Sequence, residues 1–339
     1  MRISLLGEVT AFADDGDADL LAALQPMNRL FFAVLALAAG QPVGMERLAE
    51  QLWGGFPPAG DRGRLHSCAT RVRAAAKNAG TGEQDLLVAQ AGGYCLRIDK
   101  HSVDVHRFRG KASEARAHLG RDDALVASLA RDALREWGPE VAHIYGPEPL
   151  AGLPGQWAAD YRLTLRRERR EILIELLAAE LRLGGARRVL AELADAEEAG
   201  REDERFTGLL MHAYYLCGHQ SEALRAYQRT TESLKRKGVE AGRELRLLEK
   251  KIRNQDPNLD YPREILIEPR DLVRAGDEDS EERGGHTPER GIRADAPDDA
   301  GPGSAKATGA GPVYSQRNVG RTVVANQGTQ HVNLGGSDE

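Results

Sequence analysis

Cysteine is scarce in this chain of 339 residues, and long apolar runs are missing. The three cysteines, Cys68, Cys95 and Cys217, form no CxxC pair and have no histidine at a metal-ligand spacing. We therefore expect a reduced, cytoplasmic protein that holds no metal and no other cofactor. The longest apolar run, residues 30–39, is too short to cross a bilayer, so no membrane contact is expected.

Enzyme motifs and an excess of basic charge are also absent. The sequence contains no GxxxxGK[ST], HExxH or GxSxG, which argues against an ATPase, a zinc hydrolase and an α/β-hydrolase. We predict no catalytic residues. The formal net charge is −6, so the chain is not one that coats nucleic acid everywhere. Any contact with DNA must come from a local basic surface.

Composition divides the chain into four segments. Residues 1–108 mix short strand-like runs with helices, and residues 109–260 are almost entirely typical of helix. Residues 261–311 are acidic and rich in Gly and Pro, which indicates a disordered linker. Residues 312–339 combine branched residues with Asn, Gln and Gly, a strand-prone pattern that is compatible with stacking against copies of itself. A flexible tail or a single docked strand is the alternative for residues 312–339.

The first segment has a regular order of elements. The sequence predicts strands at 3–6 and 9–12, a helix from Pro26, helices at 45–53 and 61–79, and a hairpin with strands at 86–89 and 94–98. Gly92 and Gly93 supply turn residues between the two hairpin strands. This order predicts a winged helix-turn-helix, with the third helix as the recognition helix.

The third helix concentrates basic charge on its exposed side. Its predicted buried stripe is Leu65, Ala69, Val72 and Ala76. Residues 61–77 carry a local charge of +4 in an acidic chain. Candidate DNA contacts on this helix are Arg62, Arg64, His66, Ser67, Thr70, Arg71, Arg73 and Lys77, and those on the wing are Gly93, Tyr94 and Arg97. A solvated basic helix face is the alternative interpretation.

These residues resemble the Streptomyces antibiotic regulatory protein (SARP) family over most of the first 260 positions. The matching motifs are ISLLG at 3–7, RLAEQLWG at 47–54, RVR at 71–73, GGYCL at 92–96 and VDVHRF at 103–108. The resemblance implies a mainly α fold: an OmpR-type winged helix at 1–108, then a TPR-like bacterial transcriptional activation domain at 109–260. The spacing of Gly218, Ala223 and Tyr227 is also typical of a TPR hairpin.

The resemblance further implies an activator that binds promoter repeats in double-stranded DNA and contacts RNA polymerase through the helical domain. It implies a homodimer or a tandem assembly on DNA. The recognition helix departs from the family pattern, since LHSCATR at 65–71 stands where members carry LQxYVSR, and Arg64 replaces a usual Thr. We therefore expect this chain to dock on DNA as family members do, but the resemblance does not predict its target sequence.

A non-DNA-binding scaffold is the rival interpretation of the whole chain. In that case the helical domain is an adaptor, and the tail at 312–339 recruits a signalling partner. The altered recognition helix and the acidic pI of about 5.9 favour this alternative.

Overall fold

The structure of the chain is a computed structural model. It describes residues 1–14, 18–78, 86–90, 92–138, 146–194 and 203–259. The fold is mainly α-helical, with two small antiparallel sheets in the N-terminal part. The linker and tail predicted at 261–311 and 312–339 lie outside the described residues. In the described ranges, no helix has the length and apolar character needed to cross a membrane.

The N-terminal part is a winged helix. Its elements are β1 (Arg2–Ser4), β2 (Thr10–Phe12), α1 (Pro26–Leu37), β3 (Val43–Gly44), α2 (Met45–Trp53), α3 (Asp61–Asn78), β4 (Leu87–Gln90) and β5 (Gly93–Leu96). The predicted strands, helices and hairpin are confirmed, with ends that differ by a residue or two. Strand β3 was not predicted, because two residues are too few to show a period. It pairs with β5 and completes a sheet in the order β3-β5-β4.

The rest of the described chain is helical. Its helices are α4 (Asp104–Ala117), α5 (Asp123–Leu134), α6 (Gln156–Arg182), α7 (Ala186–Ala194), α8 (Glu204–Leu216), α9 (Gln220–Arg236) and α10 (Arg243–Arg253). Residues 103–108, whose motif resembles the family's link between domains, include the first turn of α4. On α6, Ile172, Leu176 and Ala179 are buried, whereas Leu163 is exposed near the start of the helix.

Helices α8 and α9 form the hairpin that the TPR-like spacing predicts. Gly218 turns the chain between them with a φ of +81°, a conformation that glycine adopts without strain. Ala223 is fully buried where the two helices approach each other. The hydroxyls of Thr207 and Thr230 meet inside the hairpin at 2.8 Å. Tyr227 packs against the core while partly exposed, so its ring contributes to packing.

A buried carboxylate joins the winged helix to the helical domain. Asp104, in the first turn of α4, accepts hydrogen bonds from the backbone N–H of Leu5 at 2.8 Å, of Leu6 at 3.0 Å and of Val105 at 2.7 Å. Its side chain is almost completely buried. Because Leu5 and Leu6 directly follow β1, this single side chain fixes the start of the winged helix to the start of the helical domain.

A second set of bonds reinforces this junction from the other side. The backbone N–H of Leu150 donates to the carbonyl of Leu5 at 2.8 Å, and that of Ala151 donates to the carbonyl of Gly7 at 3.0 Å. Both polar sides of the 5–7 segment are therefore satisfied by residues that lie about a hundred or more positions later in the chain. The two domains share one continuous apolar core.

The stability of the chain should depend on the ionisation of Asp104. Burial raises the pKa of Asp104 from 3.8 to about 6, although its backbone N–H donors lower it in part. The folded chain therefore holds the proton more tightly than the unfolded chain, and stability falls as pH rises from about 4 to about 6. We expect a decrease of about 3 kcal/mol across this window. Urea unfolding from pH 4 to pH 7 should show this decrease in wild type relative to Asp104→Asn. Equal pH dependence in the two chains would contradict the assignment.

Candidate nucleic-acid interface

Helix α3 is anchored by one apolar side. Its buried residues are Leu65, Cys68, Ala69, Val72 and Ala76. They include the whole predicted stripe and add Cys68, one position before Ala69. This side packs against α1 and α2. Asp61 in the first turn and Lys77 in the last turn both complement the helix dipole. The opposite side of α3 is therefore held at the surface of the winged helix.

Four cations on that surface define what we call the cationic face of α3. They are Arg62, Arg64, Arg71 and Lys77, and all four side chains are exposed. Within the described part of the chain, none of them makes a salt bridge or a side-chain hydrogen bond. Their charges are therefore not neutralised by neighbours, and they lie in a chain whose net charge is negative. These cations are spread around the solvent-facing arc of α3, where they are available to an anionic partner.

The two hydroxyls predicted as contacts bond within the helix. Ser67 Oγ donates to the carbonyl of Gly63 at 3.0 Å, and Thr70 Oγ1 donates to the carbonyl of His66 at 2.9 Å. Both side chains remain exposed. In this conformation they offer lone pairs to a partner, since their protons are already used.

Arg73 differs from the other arginines of α3. Its Nε donates to the carbonyl of Leu87 on β4 at 2.9 Å, and its guanidinium lies 5.6 Å from the ring centroid of Tyr94. Arg73 therefore links α3 to strand β4 of the hairpin. Replacing Arg73 would disturb the hairpin as well as remove a charge. Substitutions of Arg73 are therefore a poor test of direct contact with DNA.

The three predicted contacts on the hairpin also differ in how exposed they are. Gly93 and Tyr94 are buried in β5, so neither offers a side chain to a partner at the surface. Arg97 is exposed just after β5, and its backbone N–H donates to the carbonyl of Leu86. Gly92 is exposed at the turn with a φ of +72°. Of the three predicted wing contacts, Arg97 is the one whose side chain faces solvent.

A groove of about 670 Å³ lies between the N-terminus of α2, helix α3 and the hairpin. Arg62 and His66 line it from α3, and Glu46 and Gln90 line it from α2 and β4. The sequence did not single out Glu46 or Gln90, because their approach to α3 depends on the tertiary fold. In the described residues, no cluster of His, Cys, Asp and Glu could hold a metal ion.

Gly93 is required where β3 and β5 meet. A Cβ at this position would lie 1.9 Å from the carbonyl oxygen of Val43, which is a backbone atom of the neighbouring strand. We expect Gly93→Ala to reduce the free energy of unfolding by about 1–3 kcal/mol, as overpacking does elsewhere. Gly63→Ala is the matched control, because a Cβ there meets open space on α3. It should stabilise the chain by about 0.5–1 kcal/mol. Thermal unfolding of both variants tests the pair, and a harmless Gly93→Ala would contradict the prediction.

Comparison with known proteins places this arrangement in a family. The model of the bacterial transcriptional activator domain matches residues 103–253. The regulatory protein AfsR of Streptomyces griseus is 30% identical over 264 residues, which are 77% of this chain and 25% of that protein. The transcriptional regulator RedD of Streptomyces coelicolor is 29% identical over 79% of this chain and 75% of its own length. This chain belongs to the SARP family.

The fold of this SARP-family chain also has a solved counterpart. The structure of Mycobacterium tuberculosis EmbR in complex with a low affinity phosphopeptide matches with a TM-score of 0.67 and 26% identity. The match covers 81% of this chain and 70% of EmbR. The winged helix and the helical domain therefore occur together in a relative, and the family assignment made from sequence motifs is confirmed. The chain spans about a quarter of the length of AfsR.

Proposed function

We propose that this chain is a transcription regulator that binds double-stranded DNA through helix α3 of its winged helix. The observation that carries the proposal is the cationic face: Arg62, Arg64, Arg71 and Lys77 are exposed, and no salt bridge with the rest of the described chain engages them. An arginine can pair with two acceptors of a guanine in the major groove, and both arginine and lysine neutralise phosphates. The relatives AfsR and RedD are named as regulators, which supports this proposal.

The hairpin is proposed to contact the sugar-phosphate backbone beside α3. Arg97 supplies an exposed cation there, and Gly92 keeps the turn free of a side chain. In this arrangement α3 lies in the major groove and the hairpin follows the adjacent strand. The helical domain is proposed to contact RNA polymerase, and two copies are proposed to occupy promoter repeats. This part of the proposal rests on the family.

Binding of the full chain to genomic DNA fragments at several salt concentrations tests the proposal. If the four cations of the cationic face each neutralise a phosphate, the slope of log affinity against log salt should be about −0.9 per contact, or roughly −3.6 in total. Fragments from the chain's own genome should separate into a strongly bound minority and a weakly bound background. Absence of binding at low salt would favour the scaffold alternative.

The contact with RNA polymerase needs a separate measurement. Purified RNA polymerase holoenzyme should form a complex with the full chain on a bound promoter fragment, detected as a slower band or a larger sedimenting species. The same measurement gives the number of chains per fragment. Binding of DNA without polymerase recruitment would limit the function to occupancy of the promoter.

A further inference from the structure

The side chain of Tyr94 connects the core of the winged helix to the surface of α3. Tyr94 is 2% exposed, and its ring meets that of Phe31 on α1 edge to face, with 5.5 Å between centroids. The guanidinium of Arg73 lies 5.6 Å from the centroid of the same ring. Packing of this kind leaves the ring little freedom, so the position of its hydroxyl is fixed by the core.

The hydroxyl of Tyr94 reaches His66 on α3. It is hydrogen-bonded to His66 Nδ1, and the two rings are nearly perpendicular at 80°. Among the described residues, His66 is the hydrogen-bond partner of this hydroxyl. Burial raises the pKa of Tyr94, so the hydroxyl keeps its proton at neutral pH. Because His66 Nδ1 is the acceptor that this buried O–H meets in the described chain, we assign the O–H as the donor, which places the imidazole proton on Nε2.

His66 is otherwise exposed and lines the groove beside Arg62. Its Nδ1 is occupied, which leaves the Nε2–H as the polar group that a partner can meet. A single N–H donor of fixed direction contributes little to the overall attraction between the chain and DNA. It does distinguish an acceptor from a donor at one position, which is how base edges are read.

We infer that His66 is a specificity-determining residue that donates a hydrogen bond from Nε2 to an acceptor on a base edge, and that Tyr94 is the positioning residue that orients it. This inference rests on the proposed function, since it names the contact by which the DNA surface selects sequence. The acceptor class includes guanine N7 and O6 and adenine N7. A phosphate oxygen offers the same chemistry, and the experiment below separates the two sources.

The test uses full-length wild type, His66→Ala, Tyr94→Phe and the double variant. Wild type first selects its preferred duplex from a random pool. We expect His66→Ala to weaken binding to that duplex roughly ten- to hundredfold and to relax the preference at one base pair. Tyr94→Phe keeps the ring and removes only the hydroxyl, so we expect a weakening of roughly three- to tenfold. In the His66→Ala background, Tyr94→Phe should have no further effect.

The control is Tyr161→Phe, which removes a partly buried tyrosine hydroxyl from α6, away from the groove. It should leave the selected duplex bound as in wild type. The urea midpoint of each variant is measured in parallel, so that impaired folding is distinguished from impaired DNA binding.

Two outcomes would overturn the inference alone. If Tyr94→Phe weakens binding as much in the His66→Ala background as in wild type, Tyr94 does not act through His66. If His66→Ala weakens selected and unrelated duplexes equally, the acceptor is a phosphate and His66 does not determine specificity. If wild type binds no DNA at all, the proposed function fails together with the inference.

Discussion

A chain with Arg62, Arg64 and Arg71 all replaced by alanine should bind its preferred DNA at least about a hundredfold more weakly than wild type. Each arginine that pairs with a base or phosphate contributes about 1–3 kcal/mol, and about 3 kcal/mol in total already corresponds to a factor of about a hundred. The slope of log affinity against log salt should also become shallower, by about 0.9 for each phosphate that is no longer neutralised. Fluorescence anisotropy with a labelled duplex at two salt concentrations measures both quantities.

The matched control removes the same charge from the helical domain. Arg121, Arg187 and Arg243 are exposed cations outside the winged helix. Their triple replacement by alanine changes the net charge equally and should leave affinity within about twofold of wild type, because distant surface charges are screened beyond roughly 8–10 Å. If the two triple variants bind equally well, the cationic face is not the DNA-binding surface.

Glu180→Ala should lower the free energy of unfolding by about 1.5–3 kcal/mol, the range for loss of hydrogen bonds to a charged group. Glu180 is fully buried in α6 and is bridged by Arg131 of α5 and Arg188 of α7, with Arg188 Nε 2.8 Å from its carboxylate. Removing the carboxylate takes the shared partner away from the partly exposed Arg131 and the exposed Arg188 and leaves unfilled space inside α6. Urea unfolding followed by circular dichroism measures the change, and the slope of the transition shows whether the unfolded state has changed.

Glu244→Ala provides the comparison for this variant. Glu244 is exposed in the first turn of α10, and its replacement should cost less than about 0.5 kcal/mol, as most surface substitutions do. A decrease in stability below about 1 kcal/mol in Glu180→Ala would show that α5, α6 and α7 do not depend on this ion cluster.

The parts of the fold that sequence could predict are those with local signals. Helix α3 has a regular apolar stripe between a Gly/Pro-rich break and the wing, and its predicted range of 61–79 matches the observed Asp61–Asn78 within one residue. The hairpin was recognisable because Gly92 and Gly93 lie between two branched, apolar runs. Such signals act over a few positions, so one sequence is enough to show them.

The parts that could not be predicted depend on contacts between distant positions. Asp104 bonds to residues 98 and 99 positions earlier, and Tyr94 to a histidine 28 positions earlier. In the sequence, Arg71 and Arg73 look alike, since each is a basic residue on α3. Only the three-dimensional structure shows that Arg73 bonds to the carbonyl of Leu87 and so links α3 to the hairpin. For the same reason, sequence alone could not show that Gly93 and Tyr94 are buried; their contact with DNA stays a prediction.

If α3 binds DNA as proposed, the junction around residues 5–7 also fixes where on a promoter the helical domain lies. Asp104, Leu150 and Ala151 bond to this segment directly, so the helical domain is rigidly attached to the winged helix. Once α3 lies in the major groove of the DNA, the helical domain has one angular position around the duplex. Since B-DNA repeats every 10–10.5 base pairs or so, inserting about five base pairs between the binding site and the polymerase site would turn the domain to the opposite face of the double helix. Promoters served by this protein should therefore be sensitive to helical phase, and an insertion of a full turn should be tolerated far better than one of half a turn.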